Sequence, residues 1–332
     1  MAHRIEKRDK QQGRHMGWHK LTEIVTDLDL DNNWLRKWEI QEVGLQTADG
    51  IEVPFKILTG SDDHQVIGKP FSSTYKPISN KIFLDMIKEA TSGIKGIVVE
   101  TTGSVCNRGR VFVSLSLKDS KSYKIGNREF EDYLNFGNGH DQSCVLWANN
   151  TNTCTVCNNT FTYNLHNEDS DIDVRVFHRG NVEFKLTNMA EIIDAHLGSQ
   201  AHFKAEFEKL MQQDFKADDA RSLFAGWSIR NDEEKELTTR GLTKVNRLTD
   251  LFVKGAGNEG KNRADAFSAV TDFYTHESTR GGGQNSGSQF VSSEFGLGRQ
   301  AKQNFWDVIR DDDEVKHYID VGKDALAVSV VN

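Results

Sequence analysis

Proline is nearly missing from this chain, with three residues in 332, which argues against proline-rich linkers. Cysteine is also scarce, at four. With no export signal ahead of them, these cysteines read as reduced thiols in a cytoplasm rather than as a disulfide framework. No window approaches the roughly 18 uninterrupted apolar residues of a membrane helix, so no membrane partner is expected. The opening MAHRIEKRDKQQGRH is basic but lacks the apolar stretch of a signal peptide. Positive charge is in deficit: 41 Lys and Arg stand against 49 Asp and Glu, a net charge of −8. A protein that coats duplex DNA is normally basic, so any nucleic-acid role must rest on a local basic strip. Hydrophobic content is low at 37%, yet the length gives ample room for a core.

The centre of the chain is Tyr133–Leu165, poor in charge and holding three of the four cysteines. It reads as strand, turn, strand around Gly137-Asn138-Gly139-His140-Asp141. Upstream, Thr22–Leu30 reads as a short helix, and Trp34–Gln46 as a strand bulged at Gly44. Ile51–Leu58 and Val66-Ile67-Gly68 complete a small antiparallel meander. A helix is expected over Asn80–Ala90, because Ile82, Phe83, Met86 and Ile87 share one face. Strands Ile97–Thr102 and Val111–Leu117 form a hairpin whose tip carries Arg108 and Arg110. Lys118, Lys121, Lys124 and Arg128 follow, making this the most basic stretch after the N-terminus. Asp171–Phe177 is another alternating strand, and Met189–Gln213 a long helix. The rest is mostly helical, with a Gly- and Ser-rich loop over Arg280–Gly298, a helix over Gln300–Arg310 and an acidic tail. The fold class expected is α+β: an antiparallel sheet core, a long packing helix and a mostly helical C-terminal part. The expected divisions are residues 1–70, 71–213 and 214–332.

Four motifs bear on chemistry. Cys154-x-x-Cys157 is half of a zinc pattern without its second pair, so no metal is expected. His140-Asp141 beside Ser143 invites an acid–base reading, although a turn Asp that caps local backbone donors explains Asp141 equally well. Gly255–Lys261 fits GxGxxG followed by Lys, but LTDLFVK before it looks helical, which makes it a connecting loop. Towards the C-terminus, Tyr274, His276, Arg280, Gly296, Gly298, Arg299 and Lys302 place cations around flexible backbone, a composition suited to phosphate. The plain alternative is a surface loop flanked by helix-end cations. No cofactor is implied.

MAHRIE at the start, Trp18-His19-Lys20-Leu21, Tyr75–Asn80, the His140-Asp141 turn, Val156–Thr160, AFSAVTDFYTH ending at His276, and Phe295-Gly296-x-Gly298 with Lys302 occur in an order that resembles the phage/plasmid-like protein family of unknown function. The likeness spans nearly the whole chain. Gln142 departs from it, standing where that family tends to have Gly. Asn152 and Cys154 stand where it tends to have Pro and Arg. The resemblance implies a mobile-element product in a bacterial cytoplasm, and carries no activity over.

A basic-tipped hairpin, further strands and a long helix are also similar to the core of single-strand annealing proteins of the Red-beta and Erf type. That likeness implies single-stranded DNA binding or annealing and a homo-oligomer. Arg108, Arg110, Lys118, Lys121 and Lys124 would be its phosphate contacts. Two alternatives stand beside it. One is an enzyme on a phosphate-bearing substrate, with His140, Asp141 and His276 as acid–base groups and Arg280, Arg299 and Lys302 as an anion clamp. The other is a non-enzymatic protein that binds a host factor.

Overall fold

A computed structural model describes residues 23–25, 30–92, 97–117, 123–154, 159–163, 166–167, 170–171, 174–176, 178, 202–229, 236–278, 289, 292–294 and 296–331. Residues 189–201 of the expected long helix, together with Lys118, Lys121, Cys157 and Arg280, lie outside these. Among the described residues the protein is α+β: antiparallel sheets, with a helical C-terminal part.

The main sheet has eight strands. Its path runs β1 (Glu23–Val25), β5 (Ile97–Val105), β6 (Arg110–Leu117), β8 (Arg128–Gly139), β9 (Leu146–Cys154) and β10 (Asn159–Tyr163). Strand β7 (Tyr123–Ile125) adds to β8, and β13 (Val174–Val176) to β9. A second sheet holds β2 (Ile40–Gln46), β3 (Glu52–Gly60) and β4 (Val66–Phe71), with the β2–β3 register shifting at Gly44/Leu45. A short pair, β11 (His166–Asn167) and β12 (Ser170–Asp171), stands apart. The Thr22–Leu30 helix expected from sequence is not what forms at its described residues: Glu23–Val25 extend along Thr102–Ser104 of β5. The open edge of β5 supplies backbone partners that an isolated turn of helix lacks, and Ile24 and Val25 favour extension.

A 3-10 turn over Trp34–Lys37 and helix α1 (Asn80–Thr91) cover one face of the main sheet. Ser79 caps α1 by accepting from the Ile82 amide, and the Glu39 carboxylate accepts from the Asn80 and Lys81 amides. Leu35, Trp38, Phe83, Leu84 and Ile87 meet Val111, Val113, Leu134 and Phe136 in this core. A second core gathers Ile125 and Phe130 of the sheet with Phe203, Phe207 and Leu210 of α2 (202–212) and the helices that follow.

Those helices are α3 (Ala217–Trp227), α4 (Thr239–Lys254), α5 (Arg263–His276), α6 (Leu297–Arg310) and α7 (Asp312–Val331). Helix α5 is buried on nearly every side, as its small residues Ala264, Ala266, Ser268 and Ala269 allow. The tail read as merely acidic is helical: Asp312, Asp313 and Glu314 occupy the first turn of α7, where the helix dipole favours anions. The rest of α7 crosses α3 so closely that Gly226 lies against the Tyr318 carbonyl and Gly322 against that of Ser222. The GxGxxG segment is the loop between α4 and α5, as its context suggested.

Candidate functional site

Three turns from the two sheets meet at one end of the molecule: residues 61–65 after β3, 106–109 after β5 and 140–145 after β8. The contacts between them are polar. Arg108 donates to both carboxylate oxygens of Asp62, at 2.6 and 3.1 Å, and lies 3.3 Å from Asp63. Its guanidinium also sits 4.7 Å from the centre of the Trp38 ring. The hydrogen bond from Arg108 holds the Asp62 carboxyl below its usual range. Arg110 donates to the Ser143 hydroxyl at 2.8 Å and approaches Asp141 at 3.8 Å. Asp141 in turn accepts from the Ser143 hydroxyl and amide. Gln142 donates to the Lys69 carbonyl at 2.6 Å. Gly68, at φ +76, leaves room for the Asp141 backbone that any side chain would fill.

Backbone strain collects at the same place. Every non-glycine residue with positive φ among the described residues lies in these turns: His64, Cys106, Asn107, Arg108 and Gln142. Such conformations cost on the order of 1–3 kcal/mol each and persist where the surroundings over-determine them, often at functional sites.

Beneath the turns the buried face of the sheet becomes polar. The ladder sets Ser104 beside Val111 and Val111 beside Asn138, so Ser104 and Asn138 share a face across three strands. One row along, Thr102 accepts from the Trp34 indole at 2.6 Å. Beyond Asn138 comes His140, fully buried, its ring edge-on to Trp38. Tyr75 stacks on His178 with ring centres 5.1 Å apart and donates to the Gly139 carbonyl.

The proton on His140 is settled by its neighbour. The Asn80 amide nitrogen donates to the Leu35 and Trp38 carbonyls, so its Oδ1 must be the atom facing His140 Nε2, at 3.0 Å. An amide oxygen only accepts, hence Nε2 carries the hydrogen and Nδ1 is left as a bare acceptor. That Nδ1 has no hydrogen-bond partner. Neither have Trp38 Nε1, Ser104 Oγ or Asn138 Oδ1. Native interiors leave few such atoms, and each requires an explanation. Burial, with the nearby His178, pushes the His140 pKa down to about 3. Burial likewise brings His178 down to about 4, against an interaction with the Lys76 backbone that opposes it.

Burial also raises the Cys106 thiol, and pushes Cys144 up to about 12. Both are therefore protonated and poor nucleophiles at neutral pH. Among the described residues, no group of three His, Cys, Asp or Glu is placed to hold a metal.

His140, Asp141, Arg108 and Arg110 are thus brought together, but His140 is oriented by Asn80 and not by the adjacent Asp141. His276 lies elsewhere, in the buried last turn of α5. Lys302 is buried within α6, where it donates to Ser293 at 2.9 Å beside Glu294 at 3.5 Å. Burial holds its pKa below the usual lysine range. Arg299 is half-buried one turn earlier in α6, and Lys124 is exposed on β7. Arg128, counted in the basic stretch, is buried and paired with Asp265, reaching Asn258, Ser268 and two backbone carbonyls besides. Trp38, Asn80, Tyr75 and His178 were not singled out from sequence as site residues. They are separated along the chain by up to 140 positions, and no local pattern links them.

Residues 69–316 match a family model described as Domain of unknown function (DUF932). No curated protein and no solved structure matches the chain. Asn80, Arg108, His140 and His178 fall within the matched residues, whereas Trp38, Asp62 and Asp63 precede them. Among the described residues, no helix is long and apolar enough to cross a membrane.

Proposed function

Because the chain belongs to the DUF932 family, whose description names no activity, we propose a function from the site itself: recognition of a small polar molecule, without turnover, at the buried cluster around His140. The observation that carries this reading is the bare Nδ1 of His140, held by Asn80 in a neutral tautomer with no partner. An acceptor so buried and so rigidly oriented supports a partner from outside the chain, because leaving it unpaired is costly. Burial holds the His140 pKa well below the usual histidine range, which favours an acceptor over a general base. A general base works best with a pKa near the operating pH, and this imidazole is about four units too weak at neutrality. It remains a good hydrogen-bond acceptor.

The test is thermal stabilisation by a panel of small polar molecules, with the His140 ring nitrogens followed by selective 15N labelling. A stabilising compound that shifts Nδ1, and that fails on His140→Phe but not on Lys124→Glu, supports the reading. An Nδ1 already hydrogen-bonded in the purified protein, and indifferent to the panel, shows a resident water and overturns it.

Single-stranded DNA binding is the second reading, favoured by one observation: β5, β6, β8 and β9 form an antiparallel meander followed by α2. Under it the protein is a mobile-element accessory factor in a bacterial cytoplasm, acting as a homo-oligomer. Arg108 and Arg110 would have to leave Asp62, Asp63 and Asp141 to reach phosphates, whereas Lys124 is already exposed. Affinity for a fluorescent single strand that falls steeply with salt, and weakens on changing Arg108 and Arg110 to Ala, supports it. Absence of binding at low salt sinks it.

A further inference from the structure

Away from the His140 cluster, the three-stranded sheet has two unlike edges. Strand β4 is guarded. It contains Lys69 and Pro70, and the turn after β8 lies on it, with Gln142 donating to the Lys69 carbonyl and Gly68 close against the Asp141 backbone. Lysine, proline and a covering loop are usual means of stopping an edge strand from pairing with another chain. Strand β2 has none of them. Among the described residues it pairs with β3 alone, and Gln41, Glu42, Val43, Gly44 and Gln46 are exposed. Its one charged side chain, Glu42, is matched within the sheet by Lys56 at 2.6 Å. We infer that β2 is an interaction edge whose partner is β2 of a second copy of this chain, paired antiparallel across a two-fold axis at Val43.

The backbone is in phase for this. At one end of β2 the Glu39 carbonyl accepts from the Ser61 amide, and at the other the Thr47 amide donates to the Ile51 carbonyl. Both residues therefore turn their backbone groups towards β3. Between them β2 is regular, because the extra residues of the bulge, Pro54 and Phe55, are in β3. Backbone groups alternate in direction along a strand, so Ile40, Glu42, Gly44 and Gln46 present their N–H and C=O groups to the open edge. In a two-fold pair centred on Val43, Glu42 meets Gly44 of the second copy, and Ile40 meets Gln46. Every outward group of the strand then gains a partner. A centre at Gly44 leaves Ile40 beyond the end of the opposite strand, and a centre at Glu42 sets two carboxylates against each other, which is destabilising.

The side chains agree with the backbone. Val43 is 43% exposed and shares its face of the sheet with Leu45, Ile57 and Val66. The pairing brings Val43 against its own counterpart at the close spacing of about 4.5 Å between Cα atoms, and Gln41 against Leu45. No like charges are opposed, and the same patch serves both copies, as a two-fold contact requires. The strand's own sequence meets each requirement of this edge, which is the reason for naming a second copy and not a foreign strand.

Strand pairing of this length buries less than the roughly 800 Å² a side of a standard interface, so the dimer is a weak one. Sedimentation velocity of the full chain between about 1 and 300 μM should show monomer giving way to dimer. Gly44→Pro removes an outward N–H at a position with open space around it, and Val43→Lys sets two lysines against each other. Each should weaken the dimer by about ten-fold or more, with the thermal midpoint of the monomer unchanged. Val43→Glu should do the same, and a mixture of the Val43→Lys and Val43→Glu proteins should restore the dimer. That pair decides the matter if Gly44→Pro fails to fold. A chain that stays monomeric throughout overturns the inference. So does a dimer that survives both charged variants, since it uses another surface. A mixture that remains monomeric overturns the two-fold centre at Val43.

Discussion

At the scale of single residues, the chemistry turns on how His140 is held. Its Nε2–H is committed to Asn80, and its Nδ1 faces an unpaired, buried environment. This arrangement makes stability depend on acidity. Folded His140 takes up a proton only near pH 3, and His178 only near 4, whereas the unfolded histidines do so near 6.5. Between those values the unfolded chain binds more protons, so stability is complete above about pH 6.5 and falls as the pH drops. Each histidine should contribute a slope of about 1.4 kcal/mol per pH unit across that window. Urea titrations from pH 7.5 to 4.5 should show it, with a shallower slope in His140→Gln. An unchanged slope in the variant would mean that His140 takes up its proton in the folded state more readily than its burial implies. The sequence drew attention to this histidine through the Asp141 beside it. The residue that orients it lies 60 positions earlier, and no spacing rule connects a helix-start asparagine to a turn histidine.

At the scale of elements, the C-terminal helices are held by close backbone approach as much as by side chains. At the α3–α7 crossing, Gly226 faces the Tyr318 carbonyl and Gly322 faces that of Ser222. A methyl group at Gly322 meets backbone, which cannot swing aside, so Gly322→Ala should cost about 1–3 kcal/mol despite the gain in helix propensity. The reading of these contacts is wrong if thermal denaturation finds the variant as stable as the parent. Helix α1 was legible from its apolar face. The helix in the acidic tail was not, because the acidic run Asp311–Glu314 dominates its start, although Val315, Tyr318, Ile319 and Leu326 recur at helical spacing behind it. What makes it a helix is the α3 surface waiting for it. The β2–β3 bulge at Gly44 was readable, since glycine inside an alternating strand is a local signal.

At the scale of the whole molecule, β8 joins the two cores. Leu134 and Phe136 belong to the core under α1, and Phe130 to the helical core. At the start of the same strand, Arg128 reaches Asp265 on α5 and the loop before it. Removing a buried charge strands its partner, so Arg128→Met should destabilise by about 3–5 kcal/mol, and adding Asp265→Asn should recover part of the loss. Fluorescence of Trp38 in the sheet half and of Trp306 in the helical half should report coincident unfolding midpoints that shift together. Separate midpoints would mean that β8 does not couple the cores.

The amino-acid sequence by itself determined the α+β class, the sheet hairpins, most helix positions and the loop character of the glycine motif. Each of these depends on periodicity, caps or turn residues a few positions apart. Only the tertiary structure decided that Arg108 and Arg110 face carboxylates, that Arg128 is an internal tie, and that His140 pairs with Asn80 beneath Trp38. Charge and hydrogen-bonding capacity are written in the chain, but their partners are chosen by which strands and turns come to lie side by side.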